Sequence, residues 1–399
     1  MNVLVINTGS SSLKFQLIET TDSSVPAKGL VERIGIDNAV FTYQRQGGEK
    51  TREILSVPNH KVAMKLVLAR LLDPDQGVIR DISDISAFGH RFVNGGWVFQ
   101  ESVLANPEVL EKIRSILDIA PLHNPAHLLG IEACIDAAPG TPQVIVFDTA
   151  FHARVKPESY MYALPYDYYE KYGIRKYGFH GTSHYYVSHR AAEIMGRPVE
   201  DLKLITCHLG NGASVDAVKG GWAIETSMGF TPHEGLVMGT RTGDVDAAAI
   251  LYIMKRENVS PEDMDCIINK KSGLLGITGI SPDMREVQQA ANQGNARAEL
   301  AIAMYTHRIK KYVGAYMGLL GGLDAVVFTA GVGENAFPIR SGSLAGLECL
   351  GIELDEQKNR NVPSGAEVDI SKTGSRVRIF VLPTNEEIVI AREAERLAK

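Results

Sequence analysis

The sequence predicts a duplicated α/β fold, two domains of one plan joined by hinges, and three observations carry that prediction. The apolar run Val3-Leu4-Val5-Ile6 breaks into Asn7-Thr8-Gly9-Ser10-Ser11-Ser12 and resumes as Phe15-Gln16-Leu17-Ile18, a strand, a tight turn of small residues and a second strand. Near mid-chain the plan recurs: Leu204-Ile205-Thr206-Cys207 runs into His208-Leu209-Gly210-Asn211-Gly212 and leaves through Ala213-Ser214-Val215, Gly9 aligning on Gly210. No Pro/Ser-rich or low-complexity tether separates the copies, so hinges join them. Such turns gather backbone N–H groups at one point, and the first has hydroxyls and Lys14 close by, which suits a phosphate. Asn7 to Ser10 is equally ordinary hairpin chemistry, because Gly and Asn supply positive φ. The repetition is what favours two phosphate loops with a nucleotide held between the halves.

In chain order, strands are expected at Val3 to Ile6, Phe15 to Ile18, Gly29 to Arg33 and Val40 to Tyr43, separated by polar turns. His60 to Leu72 has apolar residues at helical spacing (Val62, Leu66, Ala69) and precedes a strand at Ile85 to Gly89. Helices at Pro107 to Leu117 and Pro125 to Ala137 lead to the buried strand Val144 to Phe147, which ends at Asp148. Residues 152 to 202 read as irregular and aromatic: seven tyrosines between Tyr160 and Tyr177 suit a packed surface or subunit interface, with a substrate role as the alternative. After the strand group Leu204 to Thr226, helices are expected at Asp244 to Lys255, Pro261 to Lys270, Met284 to Gln293 and Ala296 to Leu320. The strand Ala325 to Phe328 then enters Gly331-Val332-Gly333-Glu334-Asn335, and a last strand, Val377 to Leu382, precedes a terminal helix from Asn385 to Lys399. The expected domains are residues 1–150 with 385–399, and residues 151–384.

At 399 residues each half can bury its own core, and the net charge of −6 with no Lys/Arg block argues against nucleic acid as a partner. Cys134, Cys207, Cys266 and Cys349 are far apart with no CxxC pair, so neither a zinc site nor a disulfide framework is indicated. No basic leader precedes the first strand and no apolar run reaches the ~18 residues of a membrane helix, from which a cytoplasmic protein with no membrane partner is expected.

Neither Gly-x-x-x-x-Gly-Lys-Ser/Thr nor Gly-x-Gly-x-x-Gly occurs, which disfavours P-loop NTPases, protein kinase glycine loops and Rossmann dehydrogenases together. Three Gly-rich turns remain: Asn7 to Ser12, His208 to Gly212, and Gly331 to Asn335, the last leaving a strand where it could lead into a helix. Arg91, in Gly89-His90-Arg91-Phe92-Val93, and Arg241, in Gly239-Thr240-Arg241-Thr242-Gly243, stand beside glycines where the backbone is closely approachable. Either could be a surface ion pair, worth about 0 to 1 kcal/mol. An arginine at a strand end is also well placed to fork onto carboxylate or phosphate oxygens. Asp283, opening Asp283-Met284-Arg285 after Ser281-Pro282, reads by default as a helix cap, and Glu386, in Pro383-Thr384-Asn385-Glu386-Glu387, as a first-turn acid favoured by the helix dipole. The pair His180 and His184 has zinc-like spacing, but Gly181 is expected to interrupt any helix there and no third ligand is evident.

Two loops of this plan in one chain are the arrangement of the actin, heat-shock chaperone and sugar kinase superfamily, whose first loop usually carries Asp where Asn7 stands. Val5-Ile6-Asn7-Thr8-Gly9-Ser10-Ser11-Ser12-Leu13-Lys14 and His208-Leu209-Gly210-Asn211-Gly212-Ala213-Ser214-Val215 closely resemble the two signatures of the acetate kinase family, and the resemblance covers the whole chain. It implies ribonuclease H-like domains with the active site in the interdomain cleft, a terminal helix crossing back to the first half, a homodimer, and ATP:acetate phosphotransfer yielding acetyl phosphate and ADP. It further implies that His208, Leu209, Gly210, Asn211 and Gly212 touch ATP phosphates, while Asp283, Met284 and Arg285 with Gly331, Val332, Gly333, Glu334 and Asn335 enclose the adenosine. Arg91 is expected to hold the substrate carboxylate, Arg241 and His180 to stabilise the transferring phosphoryl group, and Asn7 with Glu386 to orient Mg²⁺, Mn²⁺ being the alternative ion. Val93, Leu122, Phe179 and Pro232 match the family's pocket for the acetate methyl.

The chemistry agrees with such parts. A carboxylic acid with a pKa of ~4 is ionised at neutral pH and needs no base to attack. Its obstacle is the anionic γ-phosphate, so positioning and charge neutralisation by Mg²⁺ and cations carry the reaction. Asp148, an acid/base in descriptions of the family, is on this argument better suited to ordering the metal's water shell. An apolar pocket discriminates one methylene by only ~1 to 3 kcal/mol, so propionate is expected as a poorer substrate. A propionate or butyrate kinase is the second enzyme reading, and an ATP-binding scaffold that hydrolyses ATP without an acceptor is the third.

Overall fold

The structure, a computed structural model, describes residues 1–121 and 123–399. The expected pocket residue Leu122 lies outside the described residues. Packing divides the chain into two units, Met1–Ala153 with Asn385–Lys399, and Arg154–Thr384.

In the first unit, short apolar runs buried on both faces in the centre of the sheet and alternating residues in β2 and β5, separated by turn residues, build β1 (Asn2–Gly9), β2 (Ser12–Glu19), β3 (Ser24–Glu32), β4 (Ala39–Arg45), β5 (Thr51–Leu55), β6 (Ala87–Phe92), β7 (Val103–Leu104) and β8 (Gln143–Phe147). They form one sheet in the order β5-β4-β3-β2-β1-β6-β8-β7. The β1–β2 hairpin is antiparallel, with Gly9 opposite Ser12, whereas β1, β6 and β8 are parallel, so residues at their carboxyl ends lie side by side. Phe15, Phe41 and Tyr43 are fully buried, with ring centroids 6.3 to 6.5 Å apart, in a core shared with Ala63, Met64 and Val67 of the helix His60–Leu71. The helix Glu386–Ala398 returns to pack across β1, β6 and β8. A Cβ at Gly89 would stand 2.7 Å from Ile390 Cγ2, so that glycine is needed for the returning helix and not for ligand approach.

The second unit repeats the plan with β9 (Lys203–Leu209), β10 (Ala213–Lys219), β11 (Trp222–Thr226), β12 (Ala325–Thr329), β13 (Val368–Asp369) and β14 (Arg378–Val381) in the order β11-β10-β9-β12-β14-β13. Directions match as well: β9 runs antiparallel to β10 and parallel to β12, which runs parallel to β14. The turns differ by one residue, because the last β9–β10 pair is Leu209 opposite Ala213. By strand register Gly9 therefore corresponds to Leu209, one residue before the alignment on Gly210.

Other expectations need correction. The span expected to be irregular contains the 15-residue helix Gly181–Met195, beginning at His180 and ending at the left-handed Gly196. Its buried stripe is Ser183, His184, Val187, Ser188, Ala191 and Ala192, too polar to register as hydrophobic periodicity. Gly181 starts this helix and does not interrupt one. Gly331 to Asn335 is itself helical (Ala330–Asn335), and β6 ends at Phe92, so His90 and Arg91 lie inside the strand and not after it. Among the described residues no helix is long and apolar enough to cross a membrane.

Gly130, inside the helix Asn124–Ala137, abuts β1: a Cβ there would meet Thr8 Oγ1 at 2.2 Å. Gly130→Ala is therefore expected to destabilise by about 1 to 3 kcal/mol despite alanine's better helix propensity. Gly314→Ala, in the helix Ala296–Leu320 with nothing among the described residues within 4 Å of its would-be Cβ, is expected to stabilise by about 0.5 to 1 kcal/mol. Urea unfolding of the two variants checks the opposite signs.

Candidate active site

At the carboxyl ends of β6 and β8 the central feature of the first unit is an ion pair. Arg91 Nε donates to Asp148 Oδ1 at 3.0 Å and Nη2 to Oδ2 at 2.6 Å, with Asp148 buried. Burial pushes the Asp148 carboxyl up, opposed by Arg91. Burial alone would pull the guanidinium of Arg91 down, but Asp148 and then Glu386 outweigh it and push it further up. Arg91 thus spends one face of its fork on Asp148, leaving Nη1 as the edge that Asp148 does not use. Glu386 opens the returning helix, whose cap Asn385 accepts from the Ile388 N–H. Lys14, expected near phosphate, pairs with the carboxylate of Glu387. Asn7 lies opposite Lys14 in the β1–β2 ladder.

The loop after β6 is held by groups that the sequence did not single out. The Val93 N–H donates to His127 Nδ1 at 3.2 Å, so that nitrogen carries a lone pair. Burial, with Arg91 second, pulls His127 down to about 3, and burial pulls His90 down to about 4. Asn124 Nδ2 donates to the carbonyl of Asn94 at 3.0 Å, and the Gly95 N–H to Thr149 Oγ1 at 3.2 Å. Buried histidines and asparagines of this kind have no spacing signature, because their partners are backbone groups far along the chain.

In the second unit the turn after β9 is the point of convergence. Gly210 N–H donates to the Gly212 carbonyl at 3.0 Å, closing the turn. A Cβ on Gly212 would lie 3.2 Å from Arg241 Nη1 and 3.6 Å from His180 Nε2, and one on Gly210 would lie 3.7 Å from His208 Nε2. The rings of His180 and His208 stack with centroids 4.1 Å apart, and their Nδ1 atoms are held by Ser214 and Ser183 at 2.9 and 2.8 Å. Arg241 Nη1 donates to the carbonyl of Pro232 at 2.9 Å; burial pulls its guanidinium down, yet arginine stays charged. The Gly239 N–H donates to the carbonyl of Asn211 at 3.0 Å, and a Cβ there would strike Asn211 Oδ1 at 2.0 Å and approach the Pro282 carbonyl at 3.0 Å. The Arg241 loop, the turn and the start of 283–285 are therefore one packed cluster. Phe179 is buried just before His180.

Asp283 caps the helix Met284–Asn292 through the Arg285 N–H at 2.8 Å, and its carboxylate also pairs with the exposed Arg285 side chain. Gly333 brings the helix Ala330–Asn335 against β9, its would-be Cβ 3.7 Å from the Cys207 carbonyl. Arg340, which sequence reasoning missed, is buried and donates to the carbonyls of Gly333 and Glu334, both at 2.8 Å, supporting that helix from its carboxyl end. Two non-glycine residues in the left-handed region stand at this cluster, His180 at φ 58° and Ala330 at φ 63°. Strain of that kind persists where surrounding packing enforces it, commonly at functional sites.

The two units share one strand plan, and the second gathers a histidine, an arginine and a glycine turn at one point, an arrangement suited to an anionic group. Comparison with known proteins gives the chain its family. The family model described as the acetokinase family matches residues 2–392. An acetate kinase from Methanosarcina barkeri is 54% identical over 399 residues, spanning 100% of this chain and 97% of that protein. One from Dictyoglomus thermophilum is 55% identical over 397 residues, spanning 100% and 99%. Among solved structures, an acetate kinase from Porphyromonas gingivalis superimposes with a TM-score of 0.96 at 45% identity, covering 100% of both chains, and a propionate kinase from Francisella tularensis with 0.92 at 43%, covering 99% of both. The chain belongs to the acetokinase family.

The neutral His127 has a consequence for stability. Its folded value near 3 lies below the ~6.5 of an unfolded histidine, so between these values the unfolded chain binds a proton that the folded one does not. The stabilisation is complete above pH ~6.5 and is lost as pH falls, at about 1.4 kcal/mol per pH unit. His127→Asn, which offers an oxygen to the Val93 N–H but does not titrate, is expected to lower the slope of unfolding free energy between pH 6 and 5 by about that amount. Equal slopes in urea titrations of the two proteins would contradict the neutral imidazole.

Proposed function

We propose that this protein transfers the γ-phosphoryl group of ATP to acetate, reversibly, giving ADP and acetyl phosphate. The observation that best supports it is the convergence of His180 Nε2 and Arg241 Nη1 on Gly212, in a chain of the acetokinase family. In-line transfer to an already ionised carboxylate requires little besides positioning and charge. The turn His208 to Gly212 offers its backbone to the ATP phosphates, and Arg241 and His180 donate to the equatorial oxygens of the group in flight. Residues Asp283 to Arg285 and Gly331 to Asn335 take the adenosine. Arg91, oriented by Asp148, meets the acetate carboxylate through its Nη1 edge, and the methyl is assigned to Val93, Phe179 and Pro232. Both Asp148 oxygens accept from Arg91, which supports a role in positioning that cation and ordering water, and an acceptor already ionised at neutral pH needs no base.

Asn7 and Glu386 are hard oxygen donors, a pair that fits Mg²⁺, which takes one or two carboxylates and keeps several waters, with Asp148 placed to order that water shell. Among the described residues no group of three or more His, Cys, Asp or Glu could hold an ion. When bound, Mg²⁺ supplies neutralisation of phosphate charge.

The deciding assay is acetate-dependent ADP formation with the acyl phosphate trapped by hydroxylamine; no trapped product at saturating acetate rejects the proposal. The similar propionate kinase makes propionate the second acceptor to test, and kcat/KM for the two acids decides between them. Glu386→Ala is expected to raise the Mg²⁺ concentration for half-activity at least about tenfold, read as the Mg²⁺ dependence of initial rates, and an unchanged Mg²⁺ dependence would reject the metal role.

We further propose a homodimer. The helix Ala247–Glu257 buries none of its residues, and Leu251 and Tyr252 are 56% and 62% exposed, an apolar face unusual for a monomer. In the tyrosine-rich span Tyr177 is buried, while Tyr166, Tyr168 and Tyr172 stand exposed. Leu251→Glu with Tyr252→Glu is expected to convert a dimer into monomers in light scattering, and an unchanged mass would reject this face.

A further inference from the structure

We propose that Thr206, His184, Ser214 and Asp216 form a proton-ordered chain that holds His180 as the neutral imidazole with its hydrogen on Nε2. Ser214 and His184 are then positioning residues for phosphoryl transfer, an inference that rests on the role given to His180 above.

The chain follows from strand register. Thr206 and His208 share one face of β9, Ser214 and Asp216 one face of β10, with Thr206 opposite Asp216 and His208 opposite Ser214. The helix Gly181–Met195 packs on β9, and its first turn sets His184 among these groups. Thr206, His184, Ser214 and Asp216 are all fully buried. His184 Nδ1 lies 2.7 Å from Thr206 Oγ1, His184 Nε2 lies 2.7 Å from Ser214 Oγ, and Ser214 Oγ lies 2.9 Å from His180 Nδ1.

Hydrogen bookkeeping gives the chain a direction. Asp216 Oδ1 stands 3.6 Å from His184 Nε2. A lone pair on that nitrogen would face a carboxylate, whereas a hydrogen there is attracted to it, so Nε2 is protonated whether His184 is neutral or cationic. That N–H donates to Ser214 Oγ. Among the described residues the Ser214 hydroxyl has the two imidazoles as its hydrogen-bond partners, and it is sealed from water. With His184 as donor, the hydroxyl hydrogen goes to His180 Nδ1. A ring that accepts at Nδ1 is neutral and carries its hydrogen on Nε2, the atom that flanks Gly212 beside Arg241. The turn is thus served by one cation and one neutral donor whose direction is fixed before the phosphate arrives, so no reorientation is needed during transfer.

Selective ¹⁵N-histidine labelling reads the tautomer directly, the His180 signals being identified by their loss in His180→Gln. The ligand-free protein is expected to show His180 protonated at Nε2 and unprotonated at Nδ1. Ser214→Ala is expected to mix the tautomers and lower kcat about 10- to 100-fold, with KM for ATP and acetate within about twofold. His184→Ala should match that loss, whereas His184→Gln, whose amide replaces the Nε2 donor, should recover most of it. A protonated Nδ1 in the wild-type protein, or Ser214→Ala with unchanged His180 signals and turnover, overturns the proposal. Should Ser214→Ala not fold, the wild-type spectrum and the His184→Ala and His184→Gln pair decide. Full turnover in His180→Gln would overturn the role given to His180 itself, while the spectrum would still decide its tautomer.

Discussion

The second unit depends on space left by missing side chains. A Cβ at Gly239 would displace the Asn211 side chain and crowd the Pro282 carbonyl, and one at Gly212 would push the Arg241 guanidinium back by a few tenths of an ångström from its place beside the His180 imidazole. Backbone N–H groups become usable donors to a ligand only when nothing shields them, and a cation is useful only within a few ångströms. The glycines meet both conditions at once, while the serines behind the two histidines fix where the rings point.

The first unit solves a different problem. Its arginine must be charged, buried on one side and available on the other. Asp148 provides the counter-charge and two acceptors, which offsets the desolvation penalty of the guanidinium and sets the plane of the fork. Around it, His127 and Asn124 replace the strand ladder that ends with β6, so Val93 and the following turn keep their backbone groups satisfied without regular structure.

Much of this was legible in the sequence because strand hairpins and long helices announce themselves locally: both turns, the helices Pro261–Lys270 and Ala296–Leu320, and the returning helix are where the pattern puts them. What escaped was local structure whose cause lies elsewhere in the chain. The helix Gly181–Met195 buries serine and histidine, which look like loop residues until β9 and β10 supply their partners. Gly89 reads as an opening for a ligand until Ile390 fills it. Arg340 is an ordinary arginine in sequence and becomes a buried support only through Gly333, Glu334 and Asn359. Asp283 shows the limit from the other side, since the cap that the sequence suggests is what forms.

The helix that covers β1, β6 and β8 leaves the ribosome only after the entire second unit has been made. During synthesis the first sheet therefore waits with one apolar face uncovered, a condition in which chains recruit chaperones or associate with one another. Completing it later means pairing segments very distant in sequence, a contact of high order that slows folding. The second unit, contiguous from Arg154 to Thr384, carries no such debt. The order of assembly is thus the reverse of the order of translation: the half made first is finished last.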